Sequence, residues 1–303
     1  MRVLVTGGTG LIGRRLVSRL IARGDEVIVL SRRPPLASKR VEATRILVWD
    51  PESGPPSPDA FGAIDAVVNL HGESIAHGRW TDSKKERIRR SRIEGTRNLV
   101  KGIAAASPRP RVLVTASAVG YYGTRGEETL DESSASGQDF LAGVCREWEA
   151  EGNRARELGV RVATIRTGIV LGADGGALGT MLIPFRLGLG GRIGSGEQWM
   201  SWIHLDDECG IILHALDRPA VEGPVNATSP NPVRNRDFVR MLGRVLGRPT
   251  LVPAPAFAIR LLLGEMADAL LLEGQKVLPK KAEETGYRFH HPLLSEALES
   301  LLK

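Results

Sequence analysis

The sequence predicts an α/β fold, a Rossmann-type doubly wound parallel sheet with a smaller C-terminal lobe over the strand ends. Three observations carry this. Short β-branched runs alternate with helical stretches through the first half of the chain. A glycine-rich turn, "VTGGTGLIG", joins the first run to the first helical stretch. Beyond Gly172 the texture changes to glycine-rich and proline-bounded segments, as a separate lobe would show.

The elements follow in order. Arg2–Thr6 reads as the first strand. Leu11, Ile12, Leu16, Leu20 and Ile21 recur near helical spacing, and Gly24 stops that helix. Further strands are predicted over Glu26–Ser31, Arg45–Asp50, Asp65–Gly72, Arg111–Ala118 and Arg161–Gly172. Helices fill Asp82–Ala106 and Asp139–Leu158, and later Asn235–Leu246 and Ala254–Leu263. Residues 1–172 thus form a nucleotide-binding domain, to which a strand–helix segment near 200–217 returns. Residues 173–303 form the substrate or lid lobe.

Composition narrows the class. The chain has 303 residues, 41 basic against 35 acidic, for a net charge of +6. The basic residues are dispersed and aromatic content is 5%, so nucleic acid is not an expected partner. Two cysteines, Cys145 and Cys209, offer no metal spacing and no disulfide framework, and a reducing compartment is expected. The first strand begins directly after Met1, and the apolar run Phe257–Leu263 is short and broken by Arg260. The expectation is a cytoplasmic protein without a membrane partner that acts on a small molecule.

The glycine turn has a specific physical logic. Gly8 allows the tight turn out of the strand, Gly10 lets backbone amides approach a pyrophosphate, and Gly13 lets the helix pack on the strand. The pyrophosphate then sits at the positive helix N-terminus. Gly7, Gly10, Leu11, Ile12 and Gly13 are therefore assigned to a dinucleotide. The second strand selects which one. Ser31 lies 18 positions past Gly13 and begins Ser31-Arg32-Arg33, with no carboxylate to hold a ribose 2′-hydroxyl. A hydroxyl and two guanidiniums suit a 2′-phosphate, so the cofactor is predicted to be NADP(H). In the helix from Asp82, Ile88, Thr96, Leu99 and Ile103 form one stripe. Arg92 falls inside it and needs a partner, either a cofactor phosphate or a protein group.

These residues resemble a known family. TGGTGLIG, "VVNLHGESI" at the end of the fourth strand and "VTASAVGYYG" after the fifth resemble the extended short-chain dehydrogenases, or NAD-dependent epimerases/dehydratases. Arg79-Trp80, Lys85, Ile88, Ser91-Arg92, Thr96, "IPFRLGLGGRIGSGEQ", Trp202-Ile203-His204 and "LLEGQKVLPKKAEETGY" are similar to the atypical "epimerase family protein" subgroup. The resemblance implies that Ser31, Arg32, Leu70, His71, Gly72, Glu86, Arg92 and the Val170 region contact the cofactor. It also implies that residues near 248–297 form the subgroup's own domain of unknown function.

The family's usual proton donor is missing. Extended short-chain dehydrogenases use a tyrosine whose pKa is lowered by a lysine four residues on. The three tyrosines here, Tyr121, Tyr122 and Tyr287, are followed at that spacing by Arg125, Gly126 and His291. If Glu149 is that helix's usual glutamate, Leu141 and Cys145 occupy the pair's positions, and Ala118 replaces the partner serine. Candidate replacements are Tyr121, Tyr122 and Ser117. The tyrosines could equally pack a pocket wall, and Cys145 could be a plain core residue. Trp80, Arg186, Trp199, Trp202 and His204 are predicted to line the pocket, the alternative being a hinge core between lobes. The absence of a G-x-S-x-G elbow excludes a serine hydrolase of that type. Two readings stand: an NADP(H)-dependent oxidoreductase or nucleotide-sugar-epimerase-like enzyme with a non-standard acid, and a non-catalytic NADP(H)-binding sensor or partner-binding protein.

Overall fold

The computed structural model describes residues 1–303. Its first half alternates as expected: β1 (Arg2–Thr6), α1 (Leu11–Ala22), β2 (Glu26–Ser31), the short α2 (Pro34–Ala37), β3 (Arg45–Val48), β4 (Ala66–Asn69), α3 (Asp82–Ala105), β5 (Val112–Ala118), β6 (Thr129–Leu130), α4 (Phe140–Asn153) and β7 (Arg161–Thr167). The predicted strand Arg161–Gly172 is two strands. Gly168 lies against the Ser201 backbone, and β8 (Ile169–Gly172) leaves the sheet there. Then come α5 (Gly176–Arg186), β9 (Trp199–Met200), β10 (Trp202–His204), α6 (Leu205–Asp217), β11 (Gly223–Ala227), β12 (Val233–Arg234) and α7 (Asn235–Leu246). The chain closes with α8 (Ala256–Leu263), α9 (Glu265–Ala267), β13 (Lys276–Val277), α10 (Lys280–Glu284) and α11 (Leu294–Leu302).

Seven strands form one parallel sheet in the order β11-β7-β5-β4-β1-β2-β3. Their near-continuous apolar character reflects burial on both faces. One face packs α1 and α6, through Leu16, Val17, Leu20, Ile211, Ile212 and Ala215. The other packs α3, through Leu99, Val100 and Ile103, against Leu4, Val67 and Leu113. β1 lies between β2 and β4, so the strand order reverses there and opens a crevice beyond the carboxyl ends of the strands.

The second half supplies both a sheet strand and a lobe. The late segment entering the sheet is β11, whereas β10 pairs with β8 outside it. The lobe has its own core, in which Trp202, Phe238, Leu242, Leu294 and Leu298 meet Leu171, Leu178 and Phe185. Helix α7 is strongly amphipathic, burying Phe238, Val239 and Leu242 and ending on a left-handed Gly247.

Candidate functional site

The β1–α1 turn forms a cradle at the crevice. Gly7 has φ of 68°, and a Cβ there would lie 2.5 Å from the Leu70 carbonyl oxygen. The tight turn thus falls on Gly7, one residue before the Gly8 predicted from spacing. Gly8 instead packs against Val29. A Cβ on Gly13 would sit 2.7 Å from the Gly8 Cα and force α1 off the strand. Gly10 is the N-cap of α1, with no side-chain cap and no carboxylate in the first turn. The amides of Leu11, Ile12 and Gly13 find no backbone acceptor, which leaves a bare helix N-terminus for an anion. Ile12, Leu70 and Val170, all partly buried, give the crevice an apolar wall, and Leu11 lies against Gly172.

At the end of β2, the Ser31 hydroxyl accepts from the Arg33 amide at 3.2 Å, and Arg32 and Arg33 are exposed. The charge of Arg32 adds to the lowering of the His71 and Glu73 pKa values, a minor share in each. Cradle, bare helix terminus and two exposed guanidiniums together fit a dinucleotide carrying a 2′-phosphate on its adenosine.

Other predicted contacts divide. The backbone at Leu70 and His71 does line Gly7, but the His71 ring turns inward. It is buried, meets Trp49 edge-on at 5.4 Å, and its Nδ1 lies 2.5 Å from Asn69 Oδ1. Burial pulls its pKa down to about 4, with Arg92 and Arg32 adding to the effect. Arg92 lies over Gly72 and donates Nη1 to the carbonyls of Glu73 (3.0 Å) and Ile88 (3.1 Å). Its guanidinium stacks on Trp148 at 5.1 Å. The partners that the stripe on α3 called for are thus carbonyls and an indole, and Nε and Nη2 stay free. Glu86 is exposed on α3 and bonds to none of these groups.

The three candidate proton donors differ in environment. Ser117 is buried and donates to Glu149 Oε1 at 2.7 Å. Glu149 in turn receives Arg166 in a two-pronged pair at 2.9 Å on each oxygen. Arg166 also donates to the Tyr122 hydroxyl at 3.0 Å, and Tyr122 donates to Asn226 Oδ1 at 2.7 Å. Tyr122 is fully buried, and burial raises its pKa to about 12. Tyr121 stands apart. It is half-buried, its ring lies under the Arg166 guanidinium at 3.5 Å, and its hydroxyl makes no hydrogen bond within the protein. Cys145 is a core residue whose thiol burial pushes up to about 11. The Glu149–Arg166 pair was not singled out from sequence. An arginine in the interior of a strand reading RVATIRT was the available signal, because a buried charge requires a partner.

A cavity of about 150 Å³ is lined by Gly120 of the turn that carries Tyr121 and Tyr122, whereas Ser117, Tyr121 and Tyr122 are not among its lining residues. The sheet domain contributes Trp80, Gly120, Thr124, Asp139, Phe140 and Leu141, and the lobe contributes Glu265, Asp268, Ala269, Glu273 and Gln275. Thr124 Oγ1 donates to Glu273 Oε2 at 2.5 Å and links the two sides. Leu141, at the position of the missing tyrosine, lines the cavity as an apolar residue.

The predicted pocket liners separate in the same way. Trp80 lines the cavity and meets Phe140 edge-on at 5.4 Å. Trp199 lies under Arg234 at 4.0 Å and Lys276 at 5.1 Å, beside Glu127. Trp202 is fully buried in the lobe core and donates to the Asn231 carbonyl at 2.9 Å. Arg186 is exposed at the end of α5. His204 caps α6, accepting from the Asp206 amide at 3.0 Å, and stacks on His291 at 3.9 Å. His204, Asp206 and His291 cluster closely, but Arg15 occupies Asp206 at 2.6 Å and the cap engages His204 Nδ1, so these are poor metal donors.

A turn with free amides at a strand-order reversal, in a chain whose second lobe shares a cavity with the sheet domain, defines a Rossmann-type dinucleotide-binding protein. The chain belongs to the NAD dependent epimerase/dehydratase family, whose model matches residues 3–227, and a domain of unknown function (DUF1731) matches residues 254–301. It is 46% identical over 307 residues to the Arabidopsis thaliana chloroplastic epimerase family protein SDR39U1 homolog, covering 100% of this chain and 87% of that one. It resembles the crystal structure of human epimerase family protein SDR39U1 (isoform 2) with NADPH, at 39% identity and TM-score 0.88 over 99% of each chain. A Corynebacterium glutamicum nucleoside-diphosphate sugar epimerase structure matches at 35% identity and TM-score 0.81, over 100% of this chain and 58% of that one.

Proposed function

We propose that this protein binds NADP(H) in the β1–α1 crevice and catalyses an oxidoreductase or epimerase-like reaction on a small molecule held in the Trp80–Leu141–Glu273 cavity. One observation carries the cofactor reading: the second strand ends in Ser31-Arg32-Arg33, with no carboxylate at that end, and the first helix has a bare N-terminus. The human protein crystallised with NADPH supports it. The nicotinamide, when bound, supplies hydride exchange. The chain's part is to grip the diphosphate with the α1 amides, hold the 2′-phosphate with Arg32 and Arg33, and exchange a proton with substrate.

For that proton our candidate is Tyr121: its neighbour Gly120 lines the cavity, and its hydroxyl, unlike that of Tyr122, is uncommitted. A titration tests the first step. NADPH should bind better than NADH, and Arg32→Ala should weaken NADPH roughly 10- to 100-fold, the value of a charge-assisted contact, while leaving NADH nearly unchanged. Equal affinity for both cofactors overturns the reading. A substrate panel followed by NADPH absorbance tests the second. Tyr121→Phe should lose about 10²- to 10⁴-fold in rate and Tyr122→Phe far less. The missing tyrosine–lysine pair favours the second reading, a cofactor-binding sensor. Tight NADPH binding with no turnover across the panel would support it.

A further inference from the structure

Helix α8 reads AFAIRLLL and buries none of its eight residues. Phe257, Leu261 and Leu262 are 74%, 77% and 69% exposed. Leu251 and Val252 just before it, and Ile183, Leu187 and Leu189 at the end of α5, are exposed as well. Backbone bonds stitch the two segments together: Ala254 donates to the Arg192 carbonyl at 2.9 Å and Gly194 to that of Ala254 at 2.9 Å. A surface helix normally buries one apolar stripe, and a monomer rarely exposes so many large apolar side chains side by side.

Charge identifies what covers this face. Across residues 175–194 and 246–264 the only charged side chains are Arg186, Arg192, Arg248 and Arg260. Arg79 joins them by donating to the Leu261 carbonyl at 3.3 Å. The carboxylates that follow α8, Glu265 and Asp268, are paired with Lys85 and Arg260. A second copy docked face to face would set arginine against arginine. Arg260 is paired with Asp268, but Arg79, Arg186, Arg192 and Arg248 have no carboxylate partner, and an apolar surface rimmed by such arginines instead matches the boundary between acyl chains and anionic headgroups. We propose that α8, the loop before it and the end of α5 dock this protein onto an anionic lipid surface. No helix is long and apolar enough to cross a membrane, and none is needed, because lying on a bilayer takes only one face. The sequence expectation of no membrane partner rested on spanning alone.

Vesicle sedimentation of the full chain loaded with NADPH tests this, independently of any turnover. At about 150 mM salt, it should pellet with phosphatidylglycerol–phosphatidylcholine vesicles and stay in solution with pure phosphatidylcholine. Phe257→Asp with Leu261→Asp should abolish pelleting, and Arg186→Ala should weaken it roughly fivefold, the equivalent of about 1 kcal/mol per basic residue. All three positions are exposed, so unchanged melting and NADPH binding serve as the folding control. No pelleting with anionic vesicles, or equal pelleting with neutral ones, overturns the proposal. So does a wild-type dimer that ignores vesicles and is split by the double substitution, which would assign the face to a second copy.

Discussion

Glu149 is buried with Arg166 across both its oxygens, Ser117 on one of them, and the Tyr122 hydroxyl on another nitrogen of the guanidinium. The pair is satisfied, so its worth is seen only when it is broken. Glu149→Gln leaves a buried guanidinium uncompensated and is expected to cost about 3–5 kcal/mol in urea unfolding. Tyr122→Phe strands the Asn226 oxygen and one Arg166 donor, and should cost about 1–3 kcal/mol. Because Tyr122 is enclosed and its proton is held to about 12, that loss should appear in stability rather than in rate. At this scale the sequence separated residue types but not their orientations. Tyr121 and Tyr122 are neighbours in a short 3₁₀ turn, and nothing in their order reveals that one faces Asn226 while the other leaves its hydroxyl unbonded.

Among the elements, the β1–α1 turn was the most legible, because tight turns and close backbone approach admit few residue types. Its register slipped by one: the positive φ belongs to Gly7, not Gly8. Gly13→Val would press a side chain onto the Gly8 Cα. It should remove the NADPH-induced rise in melting temperature, and a variant that keeps the wild-type rise would show that the cofactor does not need this turn. Helix α7 was predicted as a proline-bounded segment with the bounds observed, and Phe238→Ala, at a fully buried position, should cost about 3–5 kcal/mol. Strand β11 was not foreseen. "GPVNA" contains a proline and little β-branching, and it becomes a strand because β7 offers it an edge.

For the molecule as a whole, three buried titratable groups set a pH optimum of stability. Glu208 is enclosed and accepts one hydrogen bond, from Thr167, so burial raises its carboxyl from 4.5 to about 8. The folded state then keeps a proton that the unfolded chain releases, and stability falls as pH climbs from 4.5 through about 8. His71 and His204 work in the opposite direction, lowered by burial from 6.5 to about 4, so stability falls as pH drops through that window. Thermal unfolding across pH should therefore peak at about 6.5. Glu208→Gln should remove the alkaline decline, worth about 1 kcal/mol between the peak and pH 8, and leave the acid side in place. A decline unchanged in that variant would place its cause elsewhere.

By itself the sequence determined the parallel sheet, the dinucleotide turn, the second strand's end without a carboxylate and the absence of a tyrosine–lysine pair. Each of these depends on local spacing or on residue types that backbone geometry restricts. Only the tertiary structure decided that Trp202 and His71 turn into cores, that Glu149 meets Arg166, and that Gly223–Ala227 completes the sheet. Those outcomes come from contacts between residues distant in the chain, where packing volume and the need to partner buried charge outweigh any local preference.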